Sequence, residues 1–123
     1  MKIDQSRFPG TIFQELDEAL ALESAPGLDM SEILPPEEQL LVKLCETESI
    51  ILTMMNKKYE WMNVLERKHF YYQLVRYWHG VMRKYKPEAI LFPVVPHTVY
   101  DFVIYALAKQ MNIKTIMFDL TRV

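Results

Sequence analysis

The sequence predicts an α/β fold in which a helical N-terminal region precedes a Rossmann-like βαβ unit, itself part of a larger parallel sheet. Two short apolar runs, 89–95 and 115–118, flank a stretch of helical apolar spacing at 99–111. Nearly continuous apolar strands are typical of parallel sheets that are covered on both faces. A strand, a crossover helix and a second strand then form a parallel, right-handed unit.

Composition and length favour one compact domain. The chain has 123 residues, of which 50% are hydrophobic, so it can bury a core and is too apolar for disorder. We predict a single Rossmann-like N-terminal domain over 1–123, with an irregular part and a short helix at 1–36, helices at 37–86 and the βαβ unit at 87–123. Two strands form only a marginal sheet in water. We therefore expect the domain to be truncated, or another chain to supply further strands.

The first third of the chain predicts one short helix and several turns. Thr11 is a candidate N-cap for a helix over 12–22, which a Pro-Gly turn then ends. Residues 28–34 predict a linker or a single turn, with Asp29 or Ser31 as the capping residue.

The next segment predicts a helix that starts at Glu37. The apolar run at 50–55 fits either a continuation of this helix or a buried strand, since Ile and Thr favour strands. We favour the helix because no Gly or Pro interrupts the acidic turn before the run. Lys57 and Lys58 mark the helix end, where cations interact favourably with the helix dipole.

A long amphipathic helix is predicted next, capped by Asn63 and running over 64–85. Its apolar residues recur at spacings of three and four, which is typical of a helix with one buried face. This stripe consists of Tyr71, Leu74, Trp78, Val81 and Tyr85.

Charge is distributed unevenly along the chain. Residues 1–48 carry eleven acidic and three basic residues, whereas residues 49–123 carry five acidic and eleven basic residues. This asymmetry indicates either solvated helix faces of opposite sign or a basic surface for phosphate, nucleotide or an anionic glycan. The one cysteine, Cys45, excludes an intramolecular disulfide and is expected to be a small core residue. No signal peptide or membrane span is visible, so we expect a cytoplasmic protein.

Several classes of site lack their sequence signatures. The three histidines have no metal-ligand spacing, and only three glycines are present, so neither a dinucleotide fingerprint nor a Walker loop occurs. No metal or cofactor is therefore predicted. A nucleophile elbow is absent, and the slightly acidic chain is unlike a basic nucleic-acid-binding domain.

The turn between the first strand and the following helix is the best candidate site. Ligands of open parallel sheets bind at the carboxyl ends of strands. We assign His97 and Asp101 as candidate catalytic residues, and Pro96, Thr98 and Tyr100 as candidate substrate-binding residues. His97 is a candidate general base or hydrogen-bond donor. The structural alternative is that Thr98 and Asp101 form a capping box and that Tyr100 packs in the core.

Four segments also carry a family resemblance, and they lie within residues 33–123. They are Lys86-Pro87-Glu88, Pro96-His97, Tyr105-Ala106-Leu107-Ala108-Lys109 and Ile113-Lys114-Thr115-Ile116-Met117-Phe118. In these segments the chain resembles the N-terminal part of bacterial capsular and surface-polysaccharide biosynthesis proteins related to GT-B glycosyltransferases.

The resemblance implies the acceptor-side half of a two-domain sugar-transfer protein, without the half that binds the sugar nucleotide. It implies that His97 faces the cleft between domains, that the partners are a glycan acceptor and a missing C-terminal domain, and that this chain alone is inactive. Two other hypotheses stay open. One is an α/β interaction or homo-oligomerisation module without catalysis, and the other is a small enzyme that uses His97 and Asp101.

Overall fold

The computed structural model describes residues 2–119. Within them the chain forms five α-helices and two short β-strands, and 56% of the residues are helical. The elements are α1 (Leu16–Ala21), α2 (Glu38–Lys43), α3 (Cys45–Lys58), α4 (Val64–Tyr85), β1 (Ala89–Phe92), α5 (Val99–Gln110) and β2 (Lys114–Met117). The predicted domain extended to residue 123, and its last four residues lie outside the described part.

The predicted Rossmann-like α/β fold is wrong, because the protein is mostly helical. β1 and β2 do pair in parallel around α5, with Leu91 opposite Ile116, but each strand has four residues. In the described part of the chain the sheet has only these two strands, so a larger parallel sheet is not present. The βαβ unit predicted from the apolar runs is therefore present. The Rossmann-like fold class that we inferred from this unit is not.

The core lies mainly between helices rather than on the sheet. α3, α4 and α5 supply most of its buried side chains, and the sheet contributes Ile90 at the edge of this cluster. The fully buried side chains with the largest volumes are Tyr71, Leu44, Ile51, Met55, Leu74, Leu107, Val75 and Val103. Burial against other helices, and not against a sheet, is thus the main source of hydrophobic stabilisation.

α4 has the predicted bounds and the predicted cap. The Asn63 carboxamide oxygen accepts the N–H of Glu66 at 2.9 Å, and the Glu66 carboxylate accepts the N–H of Asn63 at 2.8 Å. This capping box satisfies two backbone donors that the first helical turn leaves free. Tyr71 and Leu74 of the predicted apolar stripe are buried, whereas Tyr85 at the end of the stripe is exposed.

The ambiguous run at 50–55 is helical and belongs to α3. Ile51 and Met55, four residues apart, are both fully buried on the same face of the helix. Cys45 begins α3 on its exposed side, so the expectation that it is a core residue is wrong.

The N-terminal segment is less helical than predicted and packs on α4. Of the predicted helix over 12–22, only Leu16–Ala21 is helical, and Glu15 rather than Thr11 caps it, together with Glu18. The predicted single turn is confirmed as Met30–Glu32, where the Asp29 carboxylate accepts the N–H of Ser31 at 2.9 Å.

Candidate functional site

The turn between β1 and α5 carries the predicted site residues. Pro96 is buried, His97 is exposed, and Thr98 and Tyr100 are half-buried. The Nδ1 atom of His97 lies 2.9 Å from the carbonyl oxygen of Val95. A neutral imidazole that donates from Nδ1 to this carbonyl carries its acceptor lone pair on Nε2. The structure therefore presents an oriented, accessible histidine at this turn.

Asp101 is occupied by backbone groups of the same turn. Its carboxylate accepts the N–H of Thr98 at 2.8 Å and the N–H of His97 at 3.3 Å. This is the Asp101 half of a capping box at the start of α5. The Thr98 hydroxyl is buried and makes no hydrogen bond to the described residues. The contacts of Asp101 are those of a capping residue, and its catalytic role stays a prediction.

Tyr100 faces the helical core rather than the turn. Its ring lies 6.3 Å from the Trp78 ring, measured between centroids, in a tilted arrangement. Burial raises the pKa of the Tyr100 phenol, and the nearby Asp101 charge raises it further. The phenol is therefore held in its neutral form, which fits packing better than proton transfer near neutral pH.

An open groove of about 720 Å³ lies between the turn and α3. It brings together two of the five predicted site residues, Pro96 and His97, with polar side chains of α3. The α3 residues that line it are Ser49, Ile50, Thr53, Met54, Asn56 and Lys57. Sequence reasoning did not select these residues. The available signal was the spacing of Ser49, Thr53 and Lys57, which are four residues apart and share one helix face.

Two polar side chains of the groove are engaged within the chain. The Thr53 hydroxyl donates to the Ser49 carbonyl oxygen at 3.1 Å, and the Asn56 side chain accepts a hydrogen bond from Arg67. His97 and Lys57 remain as the titratable groups of its lining, and the described lining residues include no carboxylate. The lining thus offers an imidazole and an ammonium group, and no carboxylate among its described residues.

A second cavity, of about 370 Å³, lies between the N-terminal segment and α4. Tyr77, Trp78 and Tyr85 form its aromatic wall, and Gln14 and Leu28 lie opposite in the chain's N-terminal part. The Tyr77 hydroxyl donates to Gln14 and accepts the N–H of Ala25, so its hydrogen-bonding capacity is used internally. This cavity is thus an apolar gap between two parts of the chain rather than a polar site.

The outer face of the sheet is apolar and uncovered by the described residues. Leu91 and Ile116 are neighbours across the strands, and 61% and 41% of their respective surfaces are exposed. Phe118, two residues after Ile116, is 57% exposed. β2 ends at Met117, but the Phe118 N–H donates to the Phe92 carbonyl oxygen at 3.2 Å, so the pairing reaches Phe118. Residues two apart in extended backbone share a face. These three side chains, named here the outer sheet face, form the apolar surface of the β1–β2 pair opposite α5.

Two features are absent from the part of the chain that the structure describes. Across 2–119, no three His, Cys, Asp or Glu side chains are grouped so that they could hold a metal ion. None of the helices described is long and apolar enough to cross a membrane.

Comparison with models of protein families, with curated proteins and with solved structures finds no match to this chain.

Proposed function

We propose that this protein is an interaction module that self-associates through the outer sheet face. The observation that carries the proposal is the exposure of Leu91, Ile116 and Phe118 on, or directly after, the two strands that the described residues form. A two-stranded sheet is marginally stable in water, and clustered exposed apolar side chains mark interaction surfaces. Covering this face would support the marginal sheet and would remove the apolar side chains from water.

A second copy of the chain is the partner that fits this face best. Under a twofold axis the same patch meets itself, so an apolar centre is matched by an apolar centre. Glu88 and Lys114 are both exposed at the starts of the two strands, where Lys114 lies opposite Ala89. In an antiparallel dimer, Glu88 of each copy can pair with Lys114 of the other copy at the rim of the face.

Sedimentation equilibrium over a range of protein concentrations tests the proposal. We expect the wild-type chain to form dimers and the Leu91→Glu variant to be monomeric, because a buried unpaired carboxylate in the interface is costly. Val42→Glu is the matched control, since Val42 is an equally exposed apolar residue on α2 and lies away from the sheet. Phe118→Ser provides a second, milder change on the same face.

A wild-type chain that stays monomeric would contradict self-association. So would dimers that persist in both Leu91→Glu and Phe118→Ser. Circular dichroism on each variant separates loss of association from loss of folding.

The prediction of a cytoplasmic surface-polysaccharide protein with a glycan acceptor rests on the resemblance and stays a prediction. The exposed His97 in the groove beside α3 supports a polar ligand there. Titration of short acidic and neutral oligosaccharides, followed through the NMR signals of the His97 ring, tests it. Unchanged signals with every oligosaccharide would count against a glycan acceptor at this groove.

A further inference from the structure

The start of α4 and the turn before it expose three large apolar side chains within five residues. Trp61 is 72% exposed, Val64 is 67% exposed and Leu65 is 77% exposed. Single exposed apolar residues are ordinary on protein surfaces, but a cluster of this kind marks a surface that contacts something apolar. We name these three side chains the Trp61 tip.

The exposure of the tip is built into the fold. Tyr59, just before Trp61, is buried, and its hydroxyl donates to the Leu20 carbonyl oxygen at 2.7 Å. Arg67 donates to the carbonyl oxygens of Met62 at 3.1 Å and of Leu52 at 3.3 Å. The backbone on both sides of Trp61 is therefore anchored to the helices, and the indole is held outward rather than left unpacked by a loose loop.

Three exposed lysines lie close to the tip in the sequence. Lys57 and Lys58 end α3, and Lys68 lies one turn after Val64 on the same side of α4; all three are exposed. Two acidic residues lie nearby: the Glu66 carboxylate accepts the N–H of Asn63 in the helix cap, and Glu60 is exposed without such a bond. Residues 57–68 together carry four basic and two acidic side chains, so this stretch of the chain has a net positive charge.

We propose that the Trp61 tip inserts into the interfacial region of an anionic lipid bilayer. Tryptophan favours this region because its ring is apolar and its N–H is polar. Leu65 and Val64 add apolar area that leaves water on insertion. The lysines reach the headgroups with their charged ends while their alkyl stems lie along the apolar surface. The Trp61 tip combines exposed apolar side chains with nearby lysines. This combination favours a lipid surface over a protein partner.

The tip is separate from the outer sheet face, so this inference goes beyond the proposed self-association. The tip lies at the start of α4, whereas β1 follows the end of the same helix. The two surfaces share no residue, so a substitution can be made in either one alone.

Co-sedimentation with vesicles tests the proposal. We expect the wild-type chain to bind vesicles of phosphatidylcholine mixed with phosphatidylglycerol, and to bind pure phosphatidylcholine vesicles weakly. Tryptophan emission, to which the half-buried Trp78 also contributes, should shift to shorter wavelength on binding because Trp61 leaves water. Leu65→Ser should reduce partitioning about tenfold, because a large apolar group is lost from the inserted surface. About 1 M NaCl should also weaken binding, since it shortens the Debye length to about 3 Å.

Two control variants are available on the same chain. Leu34→Ser removes another highly exposed leucine far along the sequence from the tip, and Lys43→Glu reverses an exposed lysine on α2. Both should bind vesicles like the wild type, whereas the double variant Lys57→Glu and Lys58→Glu should bind less.

Three outcomes would overturn the proposal. The first is absence of binding to either kind of vesicle. The second is equal binding of Leu65→Ser and the wild type. The third is a change in the oligomeric state of Leu65→Ser in solution without vesicles, which would assign the tip to a protein interface.

Discussion

Gly80 shows how one residue without a side chain sets the position of the N-terminal segment. A glycine inside a helix such as α4 costs up to about 1 kcal/mol relative to alanine. A Cβ atom at this position would lie 2.6 Å from Cγ2 of Ile33, which is buried in a small cluster with Leu28 and Tyr77. The glycine therefore allows the close approach of this segment to α4.

We expect Gly80→Ala to destabilise the protein. The clash with Ile33 should cost about 1–3 kcal/mol, which outweighs a gain of about 1 kcal/mol in helix propensity. Urea denaturation measures the free energy of unfolding. In an Ile33→Ala background, where the clashing Cγ atoms are absent, the same change should be neutral or stabilising. A stabilised Gly80→Ala single variant would refute this account of the packing.

His79 should make stability depend on pH. Burial lowers the pKa of His79 below its ordinary value of 6.5; the Arg83 charge lowers it further, and Glu37 opposes the shift. Below about pH 6.5 the unfolded chain binds a proton at this histidine that the folded chain resists. The contribution of His79 to stability is therefore unchanged above that pH and falls as the pH decreases.

The measurement compares the wild type with His79→Gln in urea at about pH 7.5 and about pH 5. The variant should lose less stability than the wild type between the two conditions. His69→Gln, at an exposed position on the same helix, serves as the control. Parallel losses in wild type and His79→Gln would show that the histidine has no such effect.

At the scale of elements, capping explains which helix boundaries could be predicted. Asn63 and Glu66 at α4, and Thr98 and Asp101 at α5, are local signals, because the groups that bond are three residues apart. The predicted starts of both helices are confirmed. Thr11 gave a wrong start for α1, because Glu15 and Glu18 form the capping box there instead.

The Asp101 cap leads to a stability prediction. Asp101→Ala should lower the free energy of unfolding by about 1 kcal/mol, because the N–H groups of His97 and Thr98 lose their acceptor. Asp101→Asn should lose less, since its amide oxygen can still accept a hydrogen bond. Thermal and urea denaturation check both variants. Equal stability of Asp101→Ala and the wild type would remove the capping role and leave the predicted chemical role as the remaining explanation.

At the scale of the whole molecule, two apolar clusters differ in their construction. The main core joins α3, α4 and α5, whereas Leu28, Ile33 and Tyr77 form a small cluster that attaches the N-terminal segment to α4. Tyr77 accepts the N–H of Ala25 and donates to Gln14, each at 3.0 Å. This hydroxyl thus links one helix to two positions more than fifty residues earlier in the chain.

We expect Tyr77→Phe to loosen the N-terminal segment. The buried N–H of Ala25 would lose its acceptor, which costs about 1–3 kcal/mol. Glutamate-specific proteolysis is a direct measurement, because the segment is rich in glutamate and cleavage reports local opening. Tyr85→Phe, at an exposed position of α4, is the control. Identical cleavage rates for the two variants would contradict the prediction.

The sequence by itself determined the local elements. Helix caps, helical apolar spacing and the two apolar runs depend on neighbours within a few residues, so α4, α5 and the short strands could be predicted. The position of His97 at the turn after β1 could also be predicted from this order. Its partners could not, because the groove depends on how α3 packs beside the turn, and this packing joins residues about forty positions apart.

Only the tertiary structure decided the fold class and the exposed surfaces. The apolar run of β1 suggested a strand covered on both faces, yet the main core forms between helices and leaves Leu91 outside. A hydrophobic pattern states that a side chain favours burial, but it does not state which surface will bury it. The same holds for Trp61, Val64 and Leu65, whose exposure follows from the anchoring of Tyr59 and Arg67 to distant parts of the chain.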